Sequence, residues 1–132
     1  MSQVEYRFDG IIAVFSGNAT NTAQTFAQLA AASDITFADQ DGNALTWNQL
    51  VGGIIPPQVY QGRLQPMQGF RLSVTGAGVV YIAHSQAPTS SSFWQQITQG
   101  NPIETREGIG MFTKIQLLAG AATVPIYGEI LL

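Results

Sequence analysis

Apolar and polar residues alternate with a period of two along much of this chain. Phe70, Leu72 and Val74 interleave with Arg71, Ser73 and Thr75, which puts three apolar side chains on one face of a strand. Gly76-Ala77-Gly78 turns the chain, and residues 79–83 return as a strand rich in β-branched and aromatic residues. Residues 93–97, 103–106, 111–118 and 123–130 predict four more strands. Gly100-Asn101-Pro102, Gly108-Ile109-Gly110 and Ala119-Gly120-Ala121-Ala122 separate them. Pro125 is expected at an edge or a bulge, because it has no N–H to give to a ladder. Near the N-terminus, residues 4–8 and 11–15 read as short strands about an Asp9-Gly10 turn.

The periodicity changes between residues 18 and 57. Residues 18–21 read as a loop. Residues 22–32 are the one stretch that reads as a helix, capped by Asn21 or Thr22, with Phe26, Leu29 and Ala30 on one face. Ile35-Thr36-Phe37 and Leu45-Thr46-Trp47 flank Asp39-Gln40-Asp41-Gly42-Asn43, a hairpin signal. Gly52-Gly53 and Pro56-Pro57 then favour an extended connection over 51–57. Short strands at a spacing of roughly 8–12 residues predict an all-β fold, a single antiparallel β-sandwich of jelly-roll-like type. Residues 1–132 form one domain in this reading, with 18–57 a helix, hairpin and extended-loop elaboration on it.

Composition changes the picture most through what is scarce. Charged residues make up 10% of the chain, against about 25% in an ordinary soluble domain. Their places are taken by 14 Gln, 11 Thr, 8 Ser and 5 Asn. Mixed charge keeps free monomers apart, whereas the cores of protein interfaces are depleted in it. The expectation is a chain whose neighbours are other proteins. The five basic residues, Arg7, Arg63, Arg71, Arg106 and Lys114, are scattered singly within a net charge of −3. Nucleic-acid binding, which draws on clustered Lys and Arg, is therefore not expected. No apolar run approaches the ~20 residues of a membrane span. Residues 1–7 lack the basic flank and apolar core of a signal peptide, which suggests synthesis in a cytoplasm. The absence of cysteine removes disulfides and thiolate metal sites.

Candidate chemistry is sparse. His84, the single histidine, precedes Ser85, and on a strand the two side chains point to opposite faces, so no nucleophile–base pair is expected. Nor does a Gly-x-Ser-x-Gly elbow occur. Asp39-Gln40-Asp41-Gly42-Asn43 has the acids of a Ca²⁺ loop, yet the twelfth position is Leu50, not the bidentate Glu such a loop needs. Glu104 and Arg106 share a strand face and are expected to pair. No catalytic residue, metal or cofactor is assigned. Trp47, Trp94, Tyr60 and Tyr81 supply rings that a sugar stacks on, with Gln and Asn as hydrogen-bond partners, so carbohydrate remains an alternative ligand.

Gly76-Ala77-Gly78-Val79-Val80-Tyr81-Ile82-Ala83 followed by Ala87-Pro88, with Gly108–Gly110 leading a later strand, resembles a pattern in small β-sandwich virion proteins of bacteriophages. The resemblance spans residues 70–132. It implies a non-enzymatic virion protein present in many copies, often as trimers, on a lattice or vertex. The expected function is thus a decoration, cement or minor capsid subunit in the virion, touching other copies of itself and other virion proteins. The alternative is a carbohydrate- or receptor-binding module of a fibre or spike. Apolar residues in loops are the expected subunit contacts: Trp47, Ile54, Ile55 and Tyr60 by the Pro-Pro segment, and Phe93 and Trp94 by the Ser-rich loop.

Overall fold

The computed structural model describes residues 11–39, 41–51, 59–60, 63–64, 69–105 and 112–131, with backbone alone at 12, 59–60 and 63–64. The expected strand at 4–8, Arg106, the Gly108-Ile109-Gly110 turn and all but the first residue of the connection expected over 51–57 lie outside these residues; that first residue, Val51, is helical. A six-stranded sheet runs in the order β10 (Ile103–Thr105), β7 (Gly69–Val74), β12 (Thr123–Leu131), β1 (Ile11–Thr20), β3 (Ile35–Asp39) and β4 (Ala44–Leu45). A four-stranded sheet runs β2 (Gln24–Thr25), β11 (Ile115–Ala119), β8 (Val79–His84) and β9 (Gln95–Thr98). Both are antiparallel, and β5 (Val59–Tyr60) pairs with β6 (Arg63–Leu64) apart from them. The fold is an all-β sandwich.

Alternation drives the layering. Phe70, Leu72 and Val74 of β7, Val124, Ile126 and Ile130 of β12, and Val80 and Ile82 of β8 are buried in one core with Ile115, Leu117 and Ile97. Their neighbours in sequence face outward. The chain crosses between the two sheets at β1–β2, β2–β3, β7–β8, β9–β10, β10–β11 and β11–β12, so Gly76-Ala77-Gly78 links two layers and does not close a hairpin.

Local rules explain the elements that periodicity blurred. Asn18, Ala19 and Thr20 belong to β1, not to a loop: β12 pairs with them through Thr20, and the Asn18 N–H donates to the Asp34 carbonyl at 2.9 Å. The helix α1 covers only Phe26–Ala31. Its cap is Thr25, whose hydroxyl accepts from the Gln28 N–H while the Gln28 side chain accepts from the Thr25 N–H. This capping box recurs at Thr46, whose hydroxyl accepts from the Gln49 N–H at 3.1 Å, while the Gln49 side chain accepts from the Thr46 N–H at 2.9 Å. A second helix, α2 (Trp47–Val51), follows. Trp47 therefore begins a helix and does not end the hairpin's second strand. Residues 112–114 form one helical turn ahead of β11, where a longer strand is predicted.

Pro125 lies in an interior strand, between β1 and β7, not at an edge. Its carbonyl accepts from the Thr75 N–H at 3.0 Å, one residue past the end of β7. The N–H that proline lacks would point the same way, toward Thr75 just past the last β7 pair, so the missing bond falls at the end of that ladder and not within it. The described part of 18–57 supplies β3, β4 and the core side chains Phe26, Leu29 and Phe37.

Phe15 sits at the centre. Its ring lies over Gly128, its partner on β12, and a Cβ built at Gly128 lands inside that ring. Phe26, Phe37 and Phe112 surround it, with ring centroids at 5.1, 5.6 and 6.0 Å. Gly128→Ala is expected to destabilise the domain by about 3 kcal/mol in urea denaturation, the upper range for overpacking. Phe15→Leu in that background is expected to recover part of the loss, which equal midpoints for the single and double variants would contradict.

Candidate functional site

Two apolar surfaces stand out, and neither carries a charged side chain among its described residues. The first is the outer face of the four-stranded sheet. Val79 and Tyr81 of β8 alternate outward there, beside Gln116 and Leu118 of β11 and Gln96 and Thr98 of β9, while Ala83 is buried. Gly120 makes room for them: a Cβ there would meet the Val79 side chain at 2.6 Å. Phe93 leans on Tyr81 with ring centroids 5.1 Å apart. The Trp94 N–H donates to the Ile82 carbonyl at 2.8 Å, which fixes its backbone to β8. Phe93 is 40% and Trp94 47% exposed. Burial is the default for such rings, and held aromatics left in water mark interaction surfaces.

The second is a groove of about 410 Å³ between α1, β3, β4 and α2. Ala27, Ala30 and Ala31 line its helical side, Ile35 and Ala44 its sheet side, and Trp47 its end. Small residues on α1 leave the space open. Trp47 is half-buried, stacked on Phe112 at 5.6 Å and tilted against Phe37 at 5.9 Å, so the aromatic core forms the floor.

The outer face of the six-stranded sheet is wet by comparison. The Arg71 guanidinium pairs with Glu104 at 2.9 Å and with Glu129. Glu104 pairs across strands with Arg71 because the β10–β7 register sets the two residues opposite each other; Arg106, the partner expected along its own strand, lies outside the described residues. These carboxylates hold the Arg71 pKa above its ordinary value, Glu104 contributing most. Tyr127 lies between Ser73 and Ser16 on the same face. Burial first, and the Glu129 charge second, raise the pKa of its phenol, against the pull of Arg71.

The polar candidates are held by local structure. Asp39 is buried, and its carboxylate accepts from the backbone N–H of Asp41 and Asn43, both at 2.9 Å, which closes the hairpin. No group of three His, Cys, Asp or Glu side chains suited to a metal occurs among the described residues. Ser85 Oγ lies 2.9 Å from His84 Nδ1, although side chains on opposite faces are expected. The strand ends at His84, and Ser85 takes a φ of 72°, which swings its hydroxyl back. Both side chains are exposed.

Of the six expected contact residues, Phe93 and Trp94 come together on the first surface and Trp47 lines the second. Ile54 and Ile55 lie outside the described residues. Tyr60 is described by its backbone alone, paired with Arg63 in β5–β6. The groove was missed because Ala27, Ala30, Ala31 and Ala44 read as ordinary helix and strand fillers. The Thr-x-x-Gln box before α2 is the signal that would have shown Trp47 on a helix.

Trp47→Ala is expected to lower stability by about 2–3 kcal/mol, somewhat below the range for a fully buried ring. Trp94→Ala should change it by less than about 1 kcal/mol, and paired urea titrations decide between these. The raised Tyr127 pKa implies stability that is complete below an unfolded value of about 10 and falls as pH rises through the folded value. Tyr127→Phe is expected to flatten that fall in denaturation midpoints taken from about pH 9 to 11. Compared with protein-family models, curated proteins and solved structures, the chain matches none, so the reading of these surfaces rests on their own geometry.

Proposed function

We propose that this chain is a non-enzymatic structural protein that works by adhesion, as a capsid-associated decoration, cement or minor capsid subunit of a bacteriophage virion. The observation that carries the reading is the pair of exposed rings Phe93 and Trp94, Phe93 resting on Tyr81, beside a sheet face that carries no charged side chain among its described residues. Burying such a face removes apolar area from water at about 25 cal/mol per Å² and strips no ion of its hydration. The charge-poor composition extends the same property to the whole chain. The virion assignment draws further support from the resemblance of residues 70–132 to small β-sandwich virion proteins of bacteriophages.

One observation favours a second reading. Phe93 and Trp94 lie beside the exposed amides of Gln95 and Gln96, the pairing of ring faces and hydrogen-bonding groups that a neutral glycan requires. In that case the sandwich is a binding module of a fibre or spike.

Light scattering on protein resolved by size exclusion, across a wide range of concentrations, tests the lead reading. The expected result is an average mass that climbs above 14.1 kDa with concentration and falls back on Trp94→Ala. A monomer at every concentration contradicts self-adhesion, and glycan-array binding lost on Trp94→Ala would establish the second reading in its place.

A further inference from the structure

The outer face of the six-stranded sheet carries a row of hydroxyl groups. Register sets Thr36 of β3 opposite Ser16 of β1, Ser16 opposite Tyr127 of β12, and Tyr127 opposite Ser73 of β7. Residues paired in this way share a face. Their neighbours along the strands, Phe37, Phe15, Ile126 and Leu72, are buried, so the row faces outward. With ~4.8 Å between strands, it is about 14 Å long. Thr36, Ser16 and Tyr127 are exposed and Ser73 is half-buried. Among the described residues, no side-chain hydrogen bond engages any of the four hydroxyls.

We propose that this row is a binding site for a neutral polysaccharide, with Tyr127 as the ring on which a sugar stacks. The inference goes beyond the adhesive reading: it concerns the other sheet and uses neither Phe93 nor Trp94. Hydroxyls both donate and accept, as the hydroxyls of a sugar do, so each group of the row suits either role of its ligand. Tyr127 adds an apolar ring with a polar tip. Its strand lies between β1 and β7 inside the sheet, so the ring is carried on a rigid element.

Charge selects the ligand. Among the described residues, the cation of this face is Arg71, and Glu104 and Glu129 already hold it. An acidic sugar finds no counter-ion there, and the net charge of −3 repels it. The same ion triad opposes a protein partner, whose apolar surface would strip the ions of water. A sugar brings hydroxyls that stand in for that water. Shape selects a chain of sugars over a single one. A pocket encloses most of a small ligand, whereas an open sheet face touches one side of it, so affinity must come from several sugar units in line.

Affinity electrophoresis tests this in native gels cast with dextran, laminarin, xylan or galactomannan, with alginate as the acidic control. Mobility in each is taken relative to a gel without polysaccharide. Retardation is expected in at least one neutral gel and not in alginate. Tyr127→Ala is expected to weaken binding about tenfold, the loss of one stacked ring, while Tyr127→Phe keeps most of it. Ser16→Ala combined with Ser73→Ala leaves the ring and the core in place, and is expected to weaken binding severalfold through lost hydrogen bonds. Unchanged mobility in every neutral gel, retardation in alginate alone, or binding indifferent to both Tyr127→Ala and the serine pair overturns the proposal. Loss on Trp94→Ala with Tyr127→Ala binding as the parent does also overturns it, and moves the sugar to Phe93 and Trp94. Oligomer mass is read separately by scattering, so a failure here leaves the adhesive reading standing.

Discussion

The packing of Phe15 against Gly128 is the constraint on which the sandwich depends. β1 and β12 are the long central strands, and at this pair the side chain of one occupies the position where the other would carry its own. That vacancy lets the Phe15 ring lie along the sheet and reach Phe26, Phe37 and Phe112. Phe26 in turn stacks on Phe112 at 4.5 Å and meets Phe70 edge-on at 5.9 Å. Five of the chain's seven phenylalanines thus join β1, β3, β7, α1 and the turn before β11. Fully burying each ring contributes about 1.5–3 kcal/mol, and edge-on contacts add about 0.5–1.5 kcal/mol. Neither helix reaches seven residues, so neither would persist in water alone. The aromatic cluster holds both in place.

The groove follows from that same cluster. α1 docks through Phe26 and Leu29, and α2 through Trp47 and Leu50. With these faces committed to the core, the alanines of α1 stand at the border, too small to fill the space between the helices and β4. A core built from large rings and bordered by methyl groups leaves a recess at its rim. The exposed rings at the other edge have a separate origin, since Phe93 and Trp94 precede β9 and no described strand covers them.

How far the sequence revealed this depends on the range of the interaction. Strands whose alternation runs uninterrupted, such as β7, β8 and β12, were legible within a residue or two, because a period of two reports which face is wet. The hairpin at Asp39–Asn43 was legible from its turn residues, and Asp39 supplies the physical reason by capping two backbone N–H groups. Trp47 and Pro125 were misread for different causes. A Thr-x-x-Gln capping box outweighs the β-propensity of one tryptophan. Pro125 is tolerated inside a sheet only because β7 ends beside it, and that is a fact of register. Layer crossing was hidden likewise: a Gly-rich joint looks the same whether it closes a hairpin or passes to the opposite sheet. Of the site, exposed rings at Phe93 and Trp94 were readable from their polar surroundings, while a groove defined by missing volume leaves no mark on residue type.

The two outer faces differ in what it takes to bury them. Covering the six-stranded face would strip water from the Glu104–Arg71–Glu129 triad, and exposed ion pairs of this kind return at most about 1 kcal/mol, while the effective desolvation penalty is several kcal/mol per ion. Covering the four-stranded face disturbs only rings, amides and hydroxyls. Amides and hydroxyls regain partners across a contact or through trapped water, and rings gain outright. Among the described residues, then, an ion triad opposes burial of the six-stranded face, and no such triad lies on the four-stranded one.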